Sequence, residues 1–181
     1  TLEAGGSESD PELVRLLAQK SYDAVIWLIQ LGVRWNLEPF RAVSSTAVRN
    51  ISTGSVRAGY DYVQTLLSAA KRLGVEIHYR TRAEALLTEE GRVTGVLARD
   101  PRGETLRFRA PAVVLATGGF GANLDMVTKY RPELKGFSTT NHPGAQGEGL
   151  KLAAKLGAGF TDIEQIQIHP TVVKKDGHLI S

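Results

Sequence analysis

Three short stretches of this sequence carry residue types that chemistry can use. Ala116-Thr117-Gly118-Gly119-Phe120 follows the apolar run Ala112 to Ala116. Glycines at the carboxyl end of a buried strand let a ligand lie against the backbone, and open α/β sheets bind their ligands at that end. Gly118-Gly119 equally suits a plain chain reversal, so this motif alone is weak. Gly144-Ala145-Gln146-Gly147-Glu148-Gly149 precedes a helical pattern. It differs from the phosphate-binding G-x-G-x-x-G, because no strand precedes it and Glu148 would repel a phosphate. A carboxylate there suits hydrogen bonds from sugar or ribityl hydroxyls, or simply the positive end of the helix dipole. Gln165, Gln167 and His169 alternate with Ile166 and Ile168, so in an extended segment the three polar side chains share one face. Pro170 restricts His169 to an extended conformation, and an imidazole titrating near neutrality can donate to a carboxylate whether neutral or charged. A lone histidine at a strand end is nonetheless more often ordinary than functional. His78, His142 and His178 lack even that context, and no pair has metal-ligand spacing with a nearby carboxylate; no metal is expected.

The elements that must position these groups are legible in the pattern. Asp10 and Pro11 suit a helix cap and first helical position, and Leu13, Leu16, Leu17, Val25, Ile26 and Ile29 continue a helical stripe to a stop at Gly32. The spacing predicts a helix over 11–31, an irregular stretch over 35–53, and a second helix carrying Tyr60, Val63, Leu66, Leu67, Ala70 and Leu73, closed by Gly74. From Val75 the period becomes two. Strands are predicted at about 75–80, 83–88, 92–99 and 104–109, the last three an antiparallel meander turned at Glu90-Gly91 and at Asp100 to Gly103. Residues 112–116 read as a buried parallel strand neighbouring 75–80, with the meander interrupting that larger parallel sheet. Short helices are predicted at Asn123 to about Tyr130 and Gly147 to Leu156. The fold class is therefore α/β.

Composition narrows the function classes. The 181 residues, 42% hydrophobic and 23% charged, fit one globular domain. The 22 Lys+Arg and 19 Asp+Glu are interspersed, which gives no nucleic-acid footprint. With no cysteine there is no disulfide, thiolate metal site, cysteine nucleophile or covalently attached haem within this stretch. No run reaches the about 18 uninterrupted apolar residues of a spanning helix. The start, Thr1 to Gly6, lacks the regions of a signal peptide, but a chain that begins with Thr and ends on Ser181 reads as trimmed, so localisation stays open between cytoplasm and bacterial periplasm.

Taken in order, the motifs resemble a known family. They are Ala116 to Phe120, then Leu134-Lys135-Gly136-Phe137-Ser138-Thr139-Thr140-Asn141, then Pro143-Gly144-Ala145 and Gly147-Glu148-Gly149-Leu150, then Gln167-Ile168-His169-Pro170-Thr171, with Gly5-Gly6 and Asp10-Pro11-Glu12-Leu13-Val14 upstream. The set is similar to the flavoprotein subunit of soluble fumarate reductases of the flavocytochrome c type, and to urocanate reductases. The resemblance implies FAD, held by a glutathione-reductase-type domain into which a capping domain is inserted over the substrate. On this reading residues 1–164 are a C-terminal portion of the FAD-binding domain, with the meander at 83–109, and 165–181 begin the capping domain. Thr117, Gly118 and Gly119 would line the cofactor, Ala83 would offer backbone contacts to adenine, and Glu148, often Asp in the family, would bind a FAD hydroxyl. His169 would bind a substrate carboxylate with Gln167 beside it, and Ser181 falls where the family places a threonine touching the same group.

The family's Gly-rich phosphate loop, its ribose-binding acid, the proton-donating arginine and the later histidine and arginine that clamp substrate have no counterpart here. The expectation is an internal fragment, inactive and weak in FAD binding by itself, of a longer enzyme that reduces the C=C bond of an unsaturated mono- or dicarboxylate. Such an enzyme needs an electron-donating domain or protein. Aspartate oxidase and ketosteroid dehydrogenase use related scaffolds, and a non-redox α/β binding module is the reading from a different class.

Overall fold

A computed structural model describes residues 2, 3, 6, 8–41, 48, 50–53, 58–168, 173–175 and 178–180. The chain divides into two compact units, Thr1–Ile77 and His78–Ser181.

In the first unit, helix α1 (Pro11–Leu31) starts where the sequence signals it. Asp10 accepts from the backbone N–H groups of Glu12 and Leu13 at 2.8 and 3.4 Å, and Pro11 occupies the first turn, where no N–H is needed. Gly32 ends the helix in the left-handed region at φ 110°, a conformation that favours glycine. Helix α2 (Ala58–Arg72) follows, with Gly74 at φ 74° beyond its end. Between them, β1 (Asn36–Phe40) pairs antiparallel with β2 (Asn50–Ser52), in a stretch predicted to be irregular. Pro39 within β1 hides the strand from pattern reading, yet a two-stranded ribbon has free edges where a proline is tolerated. The small core holds Val33 and Ala69, and Trp35 meets Tyr62 edge-on at 5.6 Å. Of the predicted α1 stripe, Val25 and Ile26 are half-buried, whereas Leu13, Leu16 and Leu17 stay exposed.

In the second unit, β3 (Arg82–Glu89), β4 (Arg92–Arg99) and β5 (Thr105–Arg109) form the predicted antiparallel meander in the order β3-β4-β5. Glu90 and Gly91 both have positive φ, 50° and 77°, as a two-residue hairpin turn requires. The next turn is tied by Asp100, whose Oδ1 accepts from the N–H groups of Arg102 and Glu104 at 2.8 and 2.9 Å. Gly95 lies so close to β5 that a β-carbon would sit 2.0 Å from the Phe108 carbonyl oxygen. Helix α3 (Leu124–Tyr130) is capped by Asn123, a 3-10 turn spans Pro132–Leu134, and α4 (Glu148–Ala154) runs toward Gly157 at φ 83°. Ala98, Val127, Leu134 and Leu152 are its buried apolar residues. A last antiparallel pair joins β6 (Val173–Lys175) and β7 (His178–Ile180).

The predicted strands at 75–80 and 112–116 are not formed. Among the described residues every sheet is antiparallel, and neither run has a ladder partner. A parallel strand exists only where a neighbouring strand pairs with its backbone groups. Without one the apolar runs stay open to solvent, Val114 at 87% exposure and Val75 at 53%.

Candidate functional site

Two of the three motifs meet around the start of α4. The Gly147 N–H donates to the Gly119 carbonyl at 3.1 Å, and the Ala122 N–H to the Ala145 carbonyl at 3.0 Å, so the 116–120 and 144–149 segments are stitched backbone to backbone. Side chains lock the same junction: Asn123 Nδ2 donates to the Gln146 carbonyl at 3.1 Å, and Gln146 Nε2 donates to the carbonyls of Ala122 and Pro143 at 3.3 and 2.8 Å. Asn123 Oδ1 meanwhile accepts from the Met126 N–H at 3.0 Å and starts α3.

Thr117 packs directly onto the first turn of α4. A β-carbon on Gly149 would stand 2.1 Å from the Thr117 Oγ1, so only glycine leaves room for that hydroxyl. Gly118, at φ 69°, and Gly119 face the other way energetically: a β-carbon on either would meet nothing within 4 Å. The peptide surface there is open, with no side chain to hold a planar or extended ligand off it. Glu148 stands between Gly147 and Gly149 and takes the Arg82 Nη2 at 2.5 Å. Arg82 is the first residue of β3 and Ala83 the second, so this ion pair brings the meander's leading end to α4. Ala83, exposed, pairs with Ala98 across the sheet. The structure thus gathers Ala83, Thr117, Gly118, Gly119 and Glu148 from three parts of the chain.

Gln167 lies beside this cluster. It lines a cleft of about 360 Å³ with Gly121, Phe137, Thr139, Thr140 and Asn141. It also borders, with Gln165, a groove of about 440 Å³ that reaches Gly119 and Phe120. The segment 165–168 is not a strand; Gln165 N–H donates to the Asp162 carbonyl at 2.9 Å, and Asp162 itself has φ 53°. His169 and Ser181 lie outside the described residues. Among the described residues, no group of His, Asp or Glu side chains is placed to hold a metal ion.

Carboxylates paired with arginines shape the electrostatics of the meander. The Arg99 guanidinium donates to both oxygens of Glu84, at 2.7 and 2.9 Å, and holds the Glu84 carboxyl below its ordinary value of 4.5. Partial burial raises Asp100, but its bonds from Glu104 and Arg102 outweigh that and leave it below the ordinary 3.8. Glu89 accepts from Arg109 at 2.7 Å. Elsewhere in the unit, Arg131 pairs with Glu133 and lowers that carboxyl too.

Sequence reasoning did not find Arg82, Gly149 or Asn123 as members of the site. Arg82 and Glu148 are 66 residues apart, and nothing local marks such a pair. The glycine on either side of Glu148 was the one signal available for Gly149.

Residues 1–181 match the protein family described as FAD binding domain. The chain belongs to this family. It is 36% identical over 182 residues to an NADH:fumarate oxidoreductase of Klebsiella pneumoniae, covering 100% of this chain and 20% of the relative. It is 35% identical over 182 residues to a urocanate reductase of Eggerthella lenta, covering 97% of this chain and 30% of the relative. The open conformation of a flavocytochrome c3 fumarate reductase superimposes with a TM-score of 0.87 at 33% identity, over 97% of this chain and 31% of the solved one. The chain thus spans less than a third of the length of these proteins. The family's cofactor is FAD, and the open Gly118-Gly119 backbone with Glu148 beside it fits that group.

Proposed function

We propose that this chain is part of a FAD-dependent reductase that saturates the C=C bond of an unsaturated carboxylate, fumarate being the first candidate. The observation that supports this most is the meeting of the 116–120 and 144–149 segments, with Gln167 bordering the same groove, in a chain whose relatives are named for reducing such substrates. In finer terms, residues 1–164 contribute to a FAD domain of the glutathione-reductase type, and 165–181 begin the capping domain.

FAD, when bound, would supply the hydride that reduces the double bond. The chain's own residues bind and orient. Thr117, Gly118 and Gly119 present open backbone against which the cofactor lies, Ala83 offers backbone groups to its adenine, and Glu148 accepts from one of its hydroxyls. His169 donates to a substrate carboxylate with Gln167 and Ser181 beside it. A donor fixed on that carboxylate draws charge away from the alkene as negative charge grows on the carbon awaiting a proton, an interaction stronger in the transition state than in the ground state. The proton and the electrons come from parts of the full-length protein or its partner beyond these residues.

The test is a substrate panel with the full-length protein under anaerobic conditions and a reduced dye as electron source. The proposal expects dye oxidation with fumarate, urocanate or a related unsaturated carboxylate, the preferred one defining the enzyme. Turnover of a ketosteroid alone, or of none of these, would overturn it.

A further inference from the structure

Glu148 has a partner, Arg82, whose contact is separate from any bond to a cofactor hydroxyl. Arg82 reaches Glu148 Oε1 at 2.5 Å, while Oε2 has no partner among the described residues and the carboxylate side chain is 45% exposed. Arg82 is steered there by its own sheet. It sits directly across from Arg99, whose guanidinium already takes both oxygens of Glu84. Two guanidinium groups opposed across a ladder repel, and Arg82 pairs instead with the carboxylate at the start of α4. The main chain on both sides of Glu148 is fixed as well, by the Gly147 bond to Gly119 and by Gly149 beneath Thr117.

We propose that Arg82 is a positioning residue for the cofactor site: it holds one oxygen of Glu148 so that the other faces the FAD hydroxyl. The inference rests on the reading of Glu148 as a FAD ligand. An ion pair this exposed, with Arg82 at 70%, adds little to stability. Its effect lies in restricting a flexible side chain to one orientation before the ligand arrives, which lowers the ordering cost at binding.

The experiment measures FAD affinity of the full-length apoprotein by flavin fluorescence for Arg82→Met, Arg82→Lys, Glu148→Gln and the double variant Arg82→Met with Glu148→Gln. Expected are a loss of about three- to thirtyfold for Arg82→Met, partial recovery with Arg82→Lys, an unchanged melting temperature of the apoprotein, and a double variant no weaker than Glu148→Gln alone. Additive losses in the double variant would overturn the proposal, since Arg82 would then act independently of Glu148. Unchanged affinity in Arg82→Met, with Glu148→Gln weakened, would overturn it while leaving Glu148 as a ligand. Unchanged affinity in Glu148→Gln would remove the reading of Glu148 itself, and the positioning role with it.

Discussion

The hydroxyl of Thr117 occupies the space above Gly149 that any other residue would fill with its β-carbon, at a separation of 2.1 Å. This contact couples the end of the 112–117 run to the first turn of α4, on the side where the peptide surface of Gly118 and Gly119 lies open.

Gly149→Ala should therefore be costly in spite of alanine's better helix propensity. The methyl group must displace Thr117 or tilt α4, and overpacking of this kind costs about 1–3 kcal/mol. In the full-length protein, chemical denaturation should show that loss, and FAD content should fall with it. Gly119→Ala, which meets nothing within 4 Å, should leave stability nearly unchanged and lower FAD affinity alone.

The meander should be acid-sensitive through Glu84. Its folded pKa lies below the ordinary 4.5, chiefly because of the hydrogen bonds from Arg99. A depressed carboxyl contributes stability that is fully present above its unfolded pKa and is lost as pH falls through the folded one. Glu84→Gln should flatten part of the stability decline below about pH 4.5 and leave the neutral-pH profile little changed, as followed by urea midpoints across pH. A decline identical in both proteins would remove Glu84 from the account.

Much of this architecture was legible locally. Asp10 and Pro11 opened α1, Gly32 closed it, and Glu90-Gly91 turned the hairpin, because capping and turn chemistry depend on neighbouring residues only. The runs at 75–80 and 112–116 were misread for the opposite reason: apolar composition suits a buried strand, but pairing depends on distant segments, and no described strand pairs with them. The site shows the same division. Gly118, Gly119 and Glu148 lie in motifs that spacing marks only weakly and that gain their cofactor roles from the family resemblance, whereas Arg82 meets Glu148 only through a contact across 66 positions. The β1–β2 ribbon escaped notice because Pro39 breaks the strand pattern.

His169 and Glu148 should separate in their consequences. In the full-length enzyme, His169→Ala should lower kcat/KM for the unsaturated carboxylate by roughly 10- to 150-fold, the loss of one charge-assisted hydrogen bond of about 1.5–3 kcal/mol, with FAD content nearly unchanged. Glu148→Ala should lower flavin occupancy first and activity only through it. Flavin stripped by His169→Ala, with Glu148→Ala retaining flavin but inactive, would exchange the two assignments.

The proposed reaction is the saturation of an unsaturated carboxylate by reduced FAD. The most direct measurement isolates that half-reaction: the purified full-length protein is photoreduced without oxygen until its visible flavin band is bleached, and fumarate is then added. The band is expected to return in proportion to the succinate formed, one molecule per flavin, as hydride and a proton add across the double bond and FAD is left oxidised. A protein that purifies without FAD, or a bleached band that stays bleached with fumarate, urocanate and other unsaturated carboxylates alike, would contradict it.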